Sequence, residues 1–155
     1  MKRLFFILLA VTATLPVAAQ GVRKTADEFN KMSGSDTSLV ELHGVVSRLR
    51  SNPRGVFWLK DETGEAYIYG LVDGRPGSDV SFVQMQVVVG DTLTVVGRRT
   101  VYNGTTIEMA GGHLVRKANG PRHAEEWARA QAPDQWPTFK GKGTDAFSAW
   151  LAPAL

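Results

Sequence analysis

The stretch that most constrains the fold is Val56–Asp73, VFWLKDETGEAYIYGLVD. Two apolar runs, Val56–Lys60 and Ala66–Val72, flank Asp61-Glu62-Thr63-Gly64-Glu65. Both runs are rich in aromatic and β-branched residues, which fit a pleated, half-buried surface. Between them, Asp61 can hydrogen-bond its own backbone and Gly64 tolerates positive φ, so a tight reversal follows. The spacing predicts a β-hairpin. Alternation assigns its faces. With Phe57 and Leu59 turned to a core, Trp58 and Lys60 point outward. With Ile68 and Val72 turned to the core, Tyr67 and Tyr69 point outward.

A hairpin alone is marginal in water and needs further strands. One precedes it over about Leu39–Leu49, with Val40, Leu42 and Val46 on one face. Gly44 lies in phase between them, as a bend or bulge in a small barrel requires. After the hairpin, Gly74–Asp79 breaks regular structure, and a short helical turn is expected near Ser81–Gln86. Gly90-Asp91 is a second turn. Thr92–Arg99 alternates as a fourth strand, with Leu93 and Val95 on one face and Thr94 and Val96 on the other. Tyr102-Asn103-Gly104-Thr105 predicts a type I′ hairpin turn. A fifth strand follows over Thr106–Met109 and Gly112–Arg116, interrupted at Ala110-Gly111-Gly112.

The flanks differ. Lys2 and Arg3 precede an apolar run, Leu4–Leu15, broken by Pro16 and followed by small residues at Val17-Ala18-Ala19. The run is shorter than the roughly 20 residues of a membrane span, so it reads as a secretory signal peptide cleaved near Ala19, with an uncleaved anchor as the alternative. Export follows, to the periplasm or beyond. No other run is long enough to span a bilayer. Of the formal charge of +3, Lys2 and Arg3 contribute two units, which leaves +1 on the mature chain and no global case for a polyanionic partner. The 155 residues include no cysteine, which excludes disulfides and lipid attachment at the cleavage site. Residues 20–38 carry a short helix and linker: Thr25 and Glu28 have capping-box spacing, Phe29 and Met32 share a face, and Gly34 can close the C-terminus. Residues 118–155 form a tail with a helix from near Pro121 to Ala132, capped by Asn119. An extended Trp136–Phe139 and a last short helix bearing Phe147, Trp150 and Leu151 follow.

Five strands in this order, over about Leu39–Lys117, resemble an OB-fold. The residues that carry the likeness are Gly44-Val45-Val46, Phe57–Gly64 and Val89–Gly97. With its leader, the chain resembles exported bacterial OB-fold proteins. The fold class expected is all-β: a five-stranded Greek-key barrel with a short N-terminal helix and a helical tail. A second likeness lies in Pro137-Thr138-Phe139-Lys140-Gly141 and Ala146–Leu151, which resemble the opening of a TonB-type C-terminal domain, with Lys140 where a second proline would stand. The βαβ core of such domains does not follow, which leaves coincidence or a truncated longer protein.

OB-folds bind on the face of strands two and three, between two flanking loops. The resemblance therefore implies a patch of Trp58, Tyr67 and Tyr69 with Lys60 beside them. Arg48, Arg50 and Arg54 lie at one loop; Arg98, Arg99 and Tyr102 lie at the other. Aromatic faces stack bases or sugar rings at about 1–3 kcal/mol per stacked base. The competing reading makes these rings cross-strand packing pairs, or surfaces covered by the tail helix. Catalytic signals are absent: His43, His113 and His123 lack metal-ligand spacing, and no nucleophile motif or phosphate-cradling loop occurs. Asp61, Glu62 and Glu65 read as solvated carboxylates at the hairpin tip. No cofactor and no metal are implied. The expectation is a non-catalytic exported binding module for an envelope glycan, peptide or protein. Single-stranded nucleic-acid binding and an envelope-assembly role, or a fragment of a TonB-like energy transducer, stand as alternatives.

Overall fold

A computed structural model describes residues 21–131. The expected signal peptide, the stretch that resembles a TonB-type domain and the expected last short helix lie outside the described residues. Within them the order is β1 (Val22–Arg23), α1 (Ala26–Lys31), β2 (Leu39–Arg50), β3 (Val56–Lys60), β4 (Glu65–Asp73), β5 (Thr92–Tyr102), β6 (Thr106–Ala118) and α2 (His123–Gln131).

The strands run β1-β2-β3-β4-β6-β5, and β5 pairs back onto β2. This closes a five-stranded mixed barrel from β2–β6, with β1 as an added strand. β4 and β6 are parallel, while the other barrel pairs are antiparallel. The result is the OB-fold-like Greek-key barrel expected from the sequence. Val40, Leu42, Val46, Phe57, Leu59, Ala66, Ile68, Leu93, Val95 and Met109 fill its interior.

β2 belongs to two neighbours. Residues 39–45 pair with β5 and residues 45–50 with β3. The strand bends where it changes partner. At Gly44 a Cβ would stand 2.5 Å from the Lys60 carbonyl oxygen, so only glycine lets the two strands approach there. A bulge between Val46 and Arg48 completes the bend and leaves Ser47 outside the ladder.

Separate elements close the two mouths. At the hairpin end, Thr25 caps α1 with the full capping box: its Oγ1 accepts from Glu28 N at 3.2 Å, and Glu28 Oε2 accepts from Thr25 N at 2.8 Å. α1 ends at Lys31, with Met32 as C-cap, three residues before the glycine assigned to that task. Phe29 and Met32 enter the core. At the far end of β3, Phe82 stacks on Phe57 with ring centroids 6.3 Å apart. Met85 and Val87 join it in the core. Residues 81–86 make a single turn, with Met85 N donating to Ser81 O at 3.1 Å, and do not extend into a helix.

Three further expectations need correction. Val72 is 45% exposed and Leu71 is the buried residue. The cause is Gly70, whose φ of +84° bulges β4 and reverses the alternation beyond it. The expected break at residues 110–112 is the matching bulge in β6, at Gly111, and the strand continues to Ala118. Asn119 does not cap α2. Its Oδ1 accepts from Lys117 Nζ at 2.7 Å, and the helix starts at His123.

Candidate functional site

The outer face of the barrel carries a row of side chains across four ladders. Arg48 pairs with Trp58, Trp58 with Tyr67, and Glu108 with Thr100. The parallel β4–β6 register sets Ile68 beside Met109, which brings Glu108 next to Tyr67. The next row along β4 brings Tyr69 beside Ala110. Every second residue of β3 and β4 faces this side, so Trp58, Tyr67 and Tyr69 emerge together. All three are half-buried rather than fully exposed.

The rings touch. Trp58 and Tyr67 have centroids 4.9 Å apart, tilted by 40°. Two guanidinium groups lie over Trp58, Arg48 at 4.3 Å and Arg50 at 5.2 Å from its ring centroid. Such contacts contribute about 0.5–1 kcal/mol each at exposed sites. Arg48 is also ion-paired with Glu65. The Ser47 bulge turns its hydroxyl to donate to the other oxygen of Glu65 at 2.7 Å. The Ser47 hydroxyl, with Arg48 behind it, outweighs desolvation and holds Glu65 below its ordinary range.

Beside this stack lies an open cleft of about 500 Å³. Its described lining is Arg50 and Trp58 on one side, Tyr67 and Tyr69 along β4, and Tyr102, Thr106 and Glu108 from the β5–β6 hairpin. Tyr102, 60% exposed, stands on the rim. The turn behind it is the expected one, with φ of +50° at Asn103 and +73° at Gly104. Glu108 is only 7% exposed. Burial raises its carboxyl above the ordinary 4.5. Burial also raises the Tyr67 phenol, with Arg50 pulling against it and Glu108 adding to it.

Of the ten residues singled out from the sequence, five line the cleft: Arg50, Trp58, Tyr67, Tyr69 and Tyr102. Arg48 supports it from behind Trp58. The other four lie elsewhere. Lys60 shares the outer face but sits a row away, opposite Glu65. Arg54 borders a neighbouring depression with Phe82. Arg98 reaches back to donate to the Thr37 carbonyl. Arg99 is out of phase with Tyr102 and reaches toward Gly34, its Nε buried without a hydrogen-bond partner among the described residues. Thr106 and Glu108 escaped the sequence reading. Their signal was the alternation of Thr106, Glu108 and Ala110 against Met109.

The hairpin tip is also more ordered than read. Asp61 Oδ1 accepts from Thr63 N and Thr63 Oγ1, each at 2.7 Å, and Oδ2 accepts from Ala26 N at 2.8 Å. Desolvation works to raise Asp61, but the Thr63 hydroxyl and the N–H groups of Ala26, Thr63 and Gly64 together hold it below its ordinary value. Among the described residues α2 contributes nothing to the cleft. It is fastened elsewhere, through His123 Nδ1 to the buried Asp91 at 2.8 Å.

No family model matches the chain, and no curated protein matches it. Solved structures do. The hypothetical protein ygiW from E. coli is 16% identical, over 63% of this chain and 89% of that one, with a TM-score of 0.42. Entamoeba histolytica asparaginyl-tRNA synthetase, in complex with asparaginyl-adenylate, is 14% identical over 64% of this chain, with a TM-score of 0.43. This chain spans 25% of that enzyme. Among the described residues no helix is long and apolar enough to cross a membrane.

Proposed function

We propose that this protein is an exported, non-catalytic binding module that takes an envelope ligand on the aromatic outer face of β3 and β4. The observation that carries the reading is that Trp58, Tyr67, Tyr69 and Tyr102 line one cleft left open by the described helices. A cleft of about 500 Å³ with apolar walls and a few polar groups has the form of a small-ligand site. Ring faces of this kind accept planar or ring-shaped partners. Export rests on the leader pattern of residues 1–19.

Single-stranded nucleic acid is the weaker reading. Stacked rings with Arg48 and Arg50 support it. Glu65 already engages Arg48, and Glu108 places a carboxylate in the cleft, which opposes a phosphate backbone.

Chitotetraose and oligothymidylate, each titrated at low salt against wild type and Trp58→Phe, separate the readings by Trp58 fluorescence. The expected result is a response to the sugar that Trp58→Phe abolishes, with none to the oligonucleotide. A salt-sensitive response to oligothymidylate alone would replace the proposal with the nucleic-acid reading. Sequencing the N-terminus of the chain recovered from a bacterial periplasm checks export; a chain still starting at Met1 in the cytoplasm would contradict it.

A further inference from the structure

The cleft holds one group that a stacking surface does not need. Glu108, a residue only 7% exposed, lines the cavity with a carboxylate side chain. Its side chain has no hydrogen-bond or ion-pair partner among the described residues, and burial alone accounts for the rise in its pKa. The two arginines beside Trp58 and the Thr100 hydroxyl are committed or aimed elsewhere. Arg48 is held by Glu65, Arg50 lies over Trp58, and Thr100 Oγ1 donates to the Glu108 backbone carbonyl at 3.3 Å. No cation among the described residues compensates this carboxylate, and a cation arriving in the cleft would gain a charge partner that the barrel face partly shields from water.

The ring walls favour the same sign of charge, with Arg50 in the lining opposing them. Tyr67, Tyr69 and Tyr102 surround the opening, and aromatic faces attract cations through their quadrupoles. Ring walls around a carboxylate suit a charge wrapped in carbon. A bare metal ion would want more oxygen ligands than this cleft offers. Phosphate and sulfate would meet Glu108 with like charge.

Resting on the binding-face reading above, we infer that the cleft takes a small organic ammonium ion. Its charge lies against the Glu108 carboxylate and its alkyl shell against Tyr67, Tyr69 and Tyr102. The cleft volume fits a ligand of that size rather than a lone atom. Arg50, over the Trp58 ring, also lines the cleft, so the ligand's charge lies against Glu108 and not against this guanidinium.

The test uses the full chain and two matched pairs of probes: choline against its uncharged carbon isostere dimethylbutanol, and cadaverine against pentanediol. Affinity is read by chemical-shift titration of the tyrosine rings. The expected result is that at least one ammonium binds about tenfold or more tightly than its neutral partner. Glu108→Gln then removes that preference while leaving the weak binding of the neutral probe. Because Gln keeps the shape, the variant should fold, which its melting curve verifies. Equal binding of charged and neutral probes, or binding of neither, overturns the inference. So does an unchanged preference in Glu108→Gln. Chitotetraose binding without ammonium binding would sink this inference and leave the binding-face proposal standing.

Discussion

Glu108 shows how one residue can set the character of a site. Its side chain faces the cleft because alternation along β6 puts Met109 in the core. Burial raises its folded pKa above 4.5, so the native state holds the proton more tightly than the unfolded chain does. Stability from this group is fully present below the unfolded value and is lost as pH rises through the folded one. The wild type should therefore lose stability relative to Glu108→Gln as pH rises through and above the ordinary 4.5, and the gap between the two denaturation midpoints should become constant below it. Urea titrations of both proteins at several pH values measure this. Parallel pH profiles would show that Glu108 titrates alike in the folded and unfolded chains.

Among the elements, the joint between α1 and the β3–β4 turn joins the helical plug to the hairpin. Asp61 Oδ2 accepts from Ala26 N, Thr63 Oγ1 accepts from Asp27 N at 3.1 Å, and Asn30 Nδ2 donates to Glu65 O at 2.9 Å. Desolvation works to raise Asp61, but the Thr63 hydroxyl and the N–H groups of Ala26, Thr63 and Gly64 hold it below its ordinary 3.8, so its contribution is present above the unfolded value and lost as pH falls through the folded one. Asp61→Ala should cost about 1–2 kcal/mol, the scale of losing a helix cap. Amide exchange at Ala26 should speed up before exchange in β2 or β5 changes. Uniform acceleration across the barrel would show that the joint is not a local unit. The capping box at this joint was legible in the sequence, because it is a matter of three-residue spacing. So was the face on which Trp58, Tyr67 and Tyr69 emerge, because alternation is local. The phase reversal at Gly70 was not, since a bulge is decided by the neighbouring strand, here by Gly111 across the parallel ladder. Glu108 was missed for the same reason: its neighbour Tyr67 lies about forty residues earlier, on a strand whose pairing no local pattern reveals.

At the scale of the whole molecule, Asp91 fastens the tail to the barrel. It is 0% exposed and accepts from Val88 N at 3.1 Å, Gly120 N at 2.9 Å and His123 Nδ1 at 2.8 Å, with Lys117 Nζ 3.8 Å away. Two of these groups belong to the barrel side and to β6, and two lie beyond residue 118. Ending the chain at Ala118 removes Gly120 and His123 but keeps Val88 and Lys117, and it opens Asp91 to water. Hydrogen bonds to charged groups are worth about 1.5–3 kcal/mol each, and rehydration returns part of that, so the truncated barrel should lose about 2–4 kcal/mol and stay folded. Asp91→Ala in the full chain should cost more, about 3–5 kcal/mol, because it leaves Val88 N, Gly120 N and the His123 ring without their acceptor where the packed tail limits access of water. Urea titration ranks the two variants. The indole N–H resonance of Trp58 reports on the cleft in the same samples, and it should not shift on truncation, since no described residue of α2 lines that cleft. A shifted indole signal in the folded, truncated barrel would mean that the segment after Ala118 covers the aromatic face. The open cleft on which the binding proposal depends would then not exist in the intact protein.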